Sequence, residues 1–194
     1  MTKPVGTPAI TLRPATLADV AWLELWDDEP DVIACSTDDP NATVAFEDVE
    51  WTDELTMQSA FYQYFMAELD GRPIGAMQIC DPQLEETHYW GESAPNLRAI
   101  DIWIGAAADR SKGYGAAMMR LALQRCFADP RVTAIVIDPL ASNTRAHEFY
   151  RRLGFRPLGR RTFGEDDCLV HELTRHDWLA SEQAPPGERS EVTQ

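Results

Sequence analysis

The first candidate for chemistry is a short loop with two glycines. Residues 109–116 have the sequence D-R-S-K-G-Y-G-A, and Gly113 and Gly115 stand directly before an apolar run with helical spacing. Glycines let an anion approach the backbone, the N–H groups at a helix start are unpaired, and Arg110 and Lys112 add positive charge. The spacing fits neither the P-loop nor the dinucleotide-binding turn. The loop is therefore predicted to bind a pyrophosphate group with a spacing that differs from both of these nucleotide-binding loops. An ordinary glycine-bearing turn is the alternative.

Two aspartates lie on the predicted strands on either side of this loop. In residues 98–105, R-A-I-D-I-W-I-G, Asp101 and Trp103 alternate with three isoleucines, so Asp101 lies opposite the apolar face. Asp138 ends an apolar run, at a strand end where open α/β sheets bind ligands. An aliphatic amine is protonated at neutral pH, and a carboxylate can orient the ammonium and accept its proton. These aspartates are therefore candidates for an amine site. The alternatives are a surface or ion-paired aspartate for Asp101 and a cap or turn former before Pro139 for Asp138.

Acidic residues are concentrated in one part of the chain. The net charge is −15, and between Pro14 and Gly71 there are 15 Asp and Glu but no Lys or Arg. The other 17 acidic residues are balanced by 17 Lys and Arg. Because a cleft of one sign concentrates molecules of the other, this segment favours a cationic ligand and disfavours nucleic acid. A solvated acidic face is the alternative interpretation.

Length and composition predict one soluble domain of 194 residues, without a stretch long enough to span a membrane. The N-terminus lacks the apolar core of a signal peptide, and the four cysteines form no C-x-x-C pair. We therefore expect a cytoplasmic protein without a metal site, present as a monomer or homodimer. The expected boundaries are a flexible N-terminus over 1–8, the domain over 9–180 and a disordered tail over 181–194.

The elements that must position these residues alternate between strands and helices. Strands are predicted at 10–16, on both sides of the turn at Asp70-Gly71, and at 98–105, 132–139, 155–162 and 168–174. Helices are predicted at 17–28, 52–60, 114–128 and 142–155, while 29–52 and 81–97 are expected to be irregular. The strand–helix–strand unit from 98 to 138 makes part of the sheet parallel, and the hairpins make the rest antiparallel. The predicted sheet is mixed.

Two motifs in this order of elements resemble the GNAT superfamily of acetyl-CoA-dependent N-acetyltransferases. The first is [R/Q]-x-x-G-x-[G/A], which starts here at Arg110, and the second is N-x-x-A-x-x-x-Y-x-x-x-G-F, from Asn143 to Phe155. The resemblance covers 10–178. It implies an α/β GNAT fold, in which a mixed, mostly antiparallel, twisted sheet with a splayed parallel strand pair is flanked by helices.

The same resemblance implies that acetyl-CoA is the cosubstrate. The loop would grip its pyrophosphate, and strand 100–104 would pair with the pantetheine arm where that strand splays from the next. The cofactor-binding residues implied are Ile102, Trp103, Ile104, Arg110, Ser111, Lys112, Gly113, Tyr114, Gly115, Ala116, Asn143 and Ala146.

Further segments are similar to the aminoglycoside 6′-N-acetyltransferases in particular. They are R-A-I-D-I before the loop, F-A-D-P-R-V-T-A-I-V-I-D-P after the helix, S-N-x-R-A, and the hairpin turn D-G-R-P-I-G. This resemblance implies that Asp101 lies beside the acetylated amine and that Asp138 binds the polycationic antibiotic. It also implies a contribution from Asp166 or Asp167. The N-terminal third differs from such enzymes, which often carry a paired Trp at the place of residues 33–35.

The remaining candidates lie in the second motif and in the loop before Asp101. Tyr150 would protonate the leaving CoA thiolate, with core packing as the alternative, so Asp101 and Tyr150 are the predicted catalytic pair. Asn143 is expected to hydrogen-bond the CoA arm and can also cap its helix. We expect His147 to face solvent or CoA. In the loop that precedes Asp101, the residues Tyr89, Trp90 and Glu92 are expected to form a wall of the sugar site, with Trp90 and Glu92 as substrate-binding residues. The alternative is that the aromatic side chains merely anchor the loop.

The sequence thus predicts direct transfer of acetyl from acetyl-CoA to the 6′-amine of an aminoglycoside, which would confer resistance. One alternative is a GNAT enzyme that acetylates a polyamine, a hydroxylysine siderophore precursor or a protein N-terminus. Another is a non-catalytic acyl-CoA-binding sensor. Asp101 together with Tyr150 favours catalysis, because a sensor needs only the loop and Asn143. The concentration of acidic residues favours a polycationic acceptor.

Overall fold

A computed structural model describes residues 10–183, which fold around one seven-stranded sheet. The strands are β1 (Ile10–Pro14), β2 (Tyr62–Leu69), β3 (Arg72–Cys80), β4 (Leu97–Ile104), β5 (Ala134–Ile137), β6 (Arg156–Phe163) and β7 (Asp166–Thr174). The helices are α1 (Val20–Asp27), α2 (Pro30–Ser36), α3 (Trp51–Thr56), α4 (Tyr114–Phe127), α5 (Thr144–Arg152) and α6 (Arg175–Gln183). Short 3₁₀ turns precede α1 and follow β4.

The sheet is mixed, with the order β1-β2-β3-β4-β5-β7-β6. Every neighbouring pair is antiparallel except β4 and β5. These two strands pair only from Leu97 to Ala99 and from Ala134 to Val136, so they separate over the rest of β4. The predicted mixed sheet with a splayed parallel pair is confirmed.

The β2–β3 hairpin shows how local sequence determines part of this sheet. Asp70 and Gly71 both have positive φ, 52° and 82°. A two-residue turn whose central residues both have positive φ has a backbone twist that matches the right-handed twist of the two antiparallel strands it connects. The predicted hairpin is confirmed, and Leu69 lies opposite Arg72 across the turn.

Helices cover both faces of the sheet. Helix α4 packs on one face, where Met118, Met119 and Leu123 meet Ile74 and Met77 of β3, and α5 and α6 border the same core. Helices α1 to α3 pack on the other face, which carries a second core around a set of aromatic and aliphatic side chains: Leu23, Trp26, Trp51, Tyr64, Met66 and Trp103. The loop of residues 81–96 closes the rest of that face.

The structure differs from expectation in the acidic N-terminal segment. Helix α2 forms within residues 29–52, which were expected to be irregular, because Pro30 at its first position has the backbone angle of a helix start. Val32 is its one buried residue. At the other end of the chain, α6 extends to Gln183, three residues past the expected domain end. The predicted lead-in and most of the predicted tail lie outside the described residues.

Among residues 10–183, no helix combines the length and the apolar character needed to cross a bilayer.

Candidate active site

A cleft of about 1070 Å³ opens where β4 and β5 separate. Its walls come from both sides of the sheet: Asp101 and Trp103 lie on the α1–α3 side, and Tyr150 belongs to the core on the α4–α6 side. The volume is at the upper end of small-molecule pockets, so two ligands can meet there. The gap between the strands thus connects the loop before α4 with the two predicted aspartates.

The loop before α4 offers a row of free backbone donors. In the described part of the chain, the N–H groups of residues 111–116 have no protein acceptor. Ser111 and Gly113 have positive φ, 61° and 82°, and Gly113 is the N-cap of α4. A Cβ placed on Gly113 would meet nothing within 4 Å, so the space above it is open. Backbone N–H groups that converge at a helix start form an anion site.

The arginines around the loop are used differently from the prediction. Arg110 lines the cleft, but its guanidinium is paired with Glu29 and Asp31, so its charge is compensated within the protein. Arg145 also lines the cleft, and its Nη2 donates to Ser111 Oγ at 2.9 Å. Sequence reasoning missed Arg145, although it is the Arg of the S-N-x-R-A motif.

Of the carboxylates that line the cleft, only Asp31 forms a salt bridge among the described residues. Glu85 and Asp166 accept hydrogen bonds from nearby hydroxyl and backbone N–H groups. Asp101 lies on β4 and Asp138 directly follows β5, so these two carboxylates stand at the gap between the strands. Burial, followed by the charge of Asp138, raises the pKa of Asp101, although its side chain stays open to the cleft. Burial also raises the pKa of Asp138, against the hydrogen bond from Tyr89. Neither aspartate forms an ion pair among the described residues. A bound cation would offset the cost of burying these two carboxylates and would reduce the repulsion between them.

The loop of residues 81–96 forms an aromatic wall beside Asp138. Tyr89 donates from its hydroxyl to Asp138 Oδ2 at 2.7 Å, and its ring stacks on Phe163 at 4.7 Å. Trp90 packs edge-on against Phe163, and its carbonyl accepts from Arg161. Tyr89 and Trp90 both line the cleft. The contact between Tyr89 and Asp138 joins residues 49 positions apart, which no local pattern reveals.

Tyr150 and Asn143 lie on α5 at the cleft. Tyr150 is 8% exposed, and its hydroxyl has no hydrogen-bond partner in the described residues. Burial, followed by the charge of Asp101, raises the pKa of this phenol, so it stays protonated at neutral pH. Its ring packs against Phe155, so the packing role of the alternative is also present. Asn143 Oδ1 accepts from Ala146 N at 3.0 Å and therefore caps the helix.

The structure brings most of the predicted residues to this one cleft. The predicted residues that line the cleft are Trp90, Asp101, Ile102, Trp103, Ile104, Arg110, Ser111, Gly113, Gly115, Ala116, Asp138, Asn143, Ala146, Tyr150 and Asp166.

Four predicted residues do not line the cleft. Tyr114 packs its ring against the core under α4, and Asp167 pairs with Arg160 at 3.4 Å. The side chains of Glu92 and Lys112 are exposed to solvent. Asp167 points away because successive residues of a strand face opposite sides, and β7 presents Asp166 to the cleft instead.

The prediction that His147 faces solvent or CoA is wrong. His147 is 5% exposed, and its Nδ1 lies 3.0 Å from His171 Nε2 in a stacked, buried pair. Burial, followed by the charge of His147, lowers the pKa of His171 to about 4. Within the described range, no three or more His, Cys, Asp or Glu side chains form a group that could hold a metal ion.

Comparison with known proteins agrees with this architecture. Residues 15–163 match the model of the acetyltransferase (GNAT) domain. The aminoglycoside N(6')-acetyltransferase type 1 of Klebsiella pneumoniae is 30% identical over 169 residues, which cover 86% of this chain and 84% of that protein. The kanamycin resistance protein of Rhizobium radiobacter is 38% identical over 93 residues, 47% of this chain and 86% of that protein.

Among solved structures, aminoglycoside acetyltransferase AAC(6')-Ib in complex with coenzyme A and kanamycin has a TM-score of 0.75 and 28% sequence identity. The match covers 90% of this chain and 99% of that one. A spermidine N-acetyltransferase from Vibrio cholerae, at 17% identity and a TM-score of 0.66, shares the fold. The splayed strand pair, the loop of free N–H groups and the family match together show that this chain belongs to the GNAT acetyltransferase family.

Proposed function

We propose that this protein transfers acetyl from acetyl-CoA to the 6′-amino group of aminoglycosides and thereby confers resistance to them. The observation that carries the proposal is the pair Asp101 and Asp138, two carboxylates at the gap between β4 and β5 that form no salt bridge with a described basic side chain. A polycation is the natural complement of such a pair. The names of the relatives and the kanamycin complex of AAC(6')-Ib support the same acceptor class.

The donor half of the cleft fits coenzyme A. The N–H groups of residues 111–116 are free to bind a pyrophosphate, and Gly113 leaves the space above the backbone open. Over residues 100–104, the β4 edge that faces β5 has no strand partner, so it can pair with the amides of a pantetheine arm. Arg145 at the cleft adds a cation for phosphate. Acetyl-CoA supplies the thioester, and the chain supplies these contacts.

The acceptor half orients an amine and removes its proton. Asp101 and Asp138 hold the ammonium, and Asp101 takes one proton to free the nitrogen lone pair. The nitrogen attacks the thioester carbonyl, the C–N bond forms and the C–S bond breaks. Tyr150 gives its proton to the leaving sulfur, a role that its unpartnered hydroxyl and raised pKa suit. The second proton that the nitrogen loses as the amide forms restores the Tyr150 hydroxyl. The Asp101 carboxylate and the Tyr150 hydroxyl reach the gap between β4 and β5 from opposite faces of the sheet.

The location and the assembly are part of the proposal. We place the reaction in the cytoplasm and expect the active form to be a monomer or homodimer. The free thiols of Cys35, Cys80, Cys126 and Cys168 support a reducing compartment.

The test is acetyl transfer by the purified protein. CoA release is measured with kanamycin or tobramycin, with an aminoglycoside that carries a hydroxyl at the 6′ position, and with spermidine. The proposal predicts turnover with the first two and none with the 6′-hydroxyl compound. Absence of turnover with every 6′-amino aminoglycoside refutes it, and faster turnover with spermidine would identify a polyamine as the acceptor instead.

A further inference from the structure

The side chain of Arg110 is almost fully engaged within the protein. Its Nε donates to the carbonyl of Ile104 at 3.1 Å and its Nη2 to the carbonyl of Gly105. Its Nη2 also donates to Glu29 Oε2 at 3.0 Å, and its Nη1 to Asp31. A guanidinium has five N–H donors, so one remains. The side chain is 13% exposed. Little of it is left to bind a phosphate.

The partners of Arg110 belong to two different parts of the cleft. Ile104 and Gly105 are at the end of β4, beside the edge that the donor is proposed to pair with. Glu29 is the N-cap of α2, and Asp31 is in its first turn. Asp31, Val32, Cys35 and Ser36 of α2 line the cleft. One guanidinium therefore ties a wall of the cleft to the donor strand.

The opposite end of α2 is also fastened by polar contacts. Thr37 Oγ1 and Asp38 N both donate to Asp166 Oδ1 at 3.0 Å. Asp38 in turn accepts from Ser142 Oγ at 2.6 Å, next to the cap of α5. Helix α2 thus reaches from the loop before α4 to β7, across the side of the cleft that holds the aspartates.

Helix α2 packs on the core through two side chains, the buried Val32 and the partly buried Ile33. Of its seven residues, only Val32 is buried. A helix of two turns with one buried side chain has little apolar area to fix its place, so its position is sensitive to the contacts at its ends.

We propose that Arg110 is a positioning residue that holds α2 against the end of β4 and couples the acceptor side of the cleft to the donor loop. Occupation of the loop fixes the backbone around Arg110, and Arg110 transmits this order to α2. This inference revises the sequence-based expectation that Arg110 adds free charge for the pyrophosphate. It rests on the proposed function for the acceptor.

The test removes the carboxylates that hold Arg110 and leaves the loop unchanged. The variant is Glu29→Gln with Asp31→Asn. Its matched control is Glu24→Gln with Asp28→Asn, which removes two charges from the same acidic segment. Glu24 and Asp28 are exposed and form no ion pair in the described chain. The two variants therefore carry the same net charge.

The first readout does not depend on the acceptor. Hydrogen exchange of a peptide spanning 30–36 is measured with and without CoA. We expect CoA to slow exchange in wild type and control, and to slow it clearly less in the Glu29/Asp31 variant. Equal protection in all three proteins, or none in wild type, overturns the proposal. This measurement stands even if aminoglycosides turn out not to be substrates.

The second readout separates positioning from phosphate binding. For the Glu29/Asp31 variant we expect the KM of the aminoglycoside to rise about tenfold over the control, roughly the effect of losing two ion pairs, while CoA affinity by calorimetry stays within about twofold. Asp31→Asn alone, at a side chain 69% exposed, leaves the fold intact and should raise KM about threefold. Equal KM values in variant and control, or a loss of CoA affinity as large as the rise in KM, overturns the proposal.

Discussion

Two glycines of this chain allow the proposed pyrophosphate site in the loop before α4 to be tested with an internal control. Gly113 and Gly71 both have φ of +82°, and a Cβ added at either would meet nothing within 4 Å. Gly113 lines the cleft, whereas Gly71 is in the β2–β3 turn. Replacement of each by Ala therefore imposes the same backbone strain without a clash, and only one replacement places a methyl group where a phosphate is expected.

The magnitudes follow from these geometries. An L-residue in the left-handed region costs about 1–2 kcal/mol, and for a chain of this size each kcal/mol lowers Tm by about 2–4 °C. Both variants should therefore lose about 2–8 °C. If the methyl group on Gly113 removes one N–H contact to a charged phosphate, about 1.5–3 kcal/mol of binding is lost, which weakens CoA affinity about 10- to 100-fold.

The assay is calorimetry of CoA binding together with thermal unfolding of Gly113→Ala, Gly71→Ala and wild type. Gly71→Ala should bind CoA as wild type does. If Gly113→Ala binds CoA as tightly as Gly71→Ala, the pyrophosphate does not lie above Gly113, and the proposed pyrophosphate site is wrong.

The remaining predictions concern three titratable groups, Asp101, Tyr150 and His171. Asp101→Asn should lower kcat about 10²–10⁴-fold with unchanged CoA affinity; unchanged kcat would remove Asp101 from the chemistry. Because the pKa of Asp101 is raised, kcat/KM of wild type should fall on acidification at a pH above the ordinary carboxyl range, and an acid limb below pH 4 would contradict this. Tyr150→Phe keeps the ring packing, so Tm should be retained while kcat falls about tenfold or more; full activity would exclude Tyr150 as the acid. The pKa of His171 is lowered from 6.5 to about 4, so the unfolded chain binds a proton that the folded chain lacks between these values, and stability should decline by about 1 kcal/mol per pH unit as pH falls from 6.5 to 4. Denaturant titrations of His171→Gln should show a shallower decline, and an identical slope would contradict the linkage.

Several turns and helix starts were predictable because their signals are local. The turn at Asp70-Gly71, the loop with Gly113 and the cap at Asn143 each depend on a few consecutive residues whose backbone preferences are strong. The position of Asp101 followed from the alternation of one strand. The charge imbalance of the acidic segment likewise pointed to a cationic acceptor without any knowledge of its fold.

Contacts between distant parts of the chain were harder to predict. The hydrogen bond from Tyr89 to Asp138, the pair His147–His171 and the ion pairs of Arg110 join residues that are far apart in the chain. Sequence patterns report which face a residue takes within its own element, but not which other element covers that face. This is why His147 was assigned to the surface and Arg110 to the phosphate.

By itself, the sequence determined the order of the strands and of helices α1, α3, α4 and α5, the family, and the residue types that can handle an acetyl thioester and an amine. Only the tertiary structure decided where they meet. Strands β4 and β5 pair over three residues and then separate, and through that gap Asp101 from one face of the sheet and Tyr150 from the other reach a common cleft. The physical reason is that a local pattern encodes a helix or a strand, whereas the separation of two strands depends on everything packed against both.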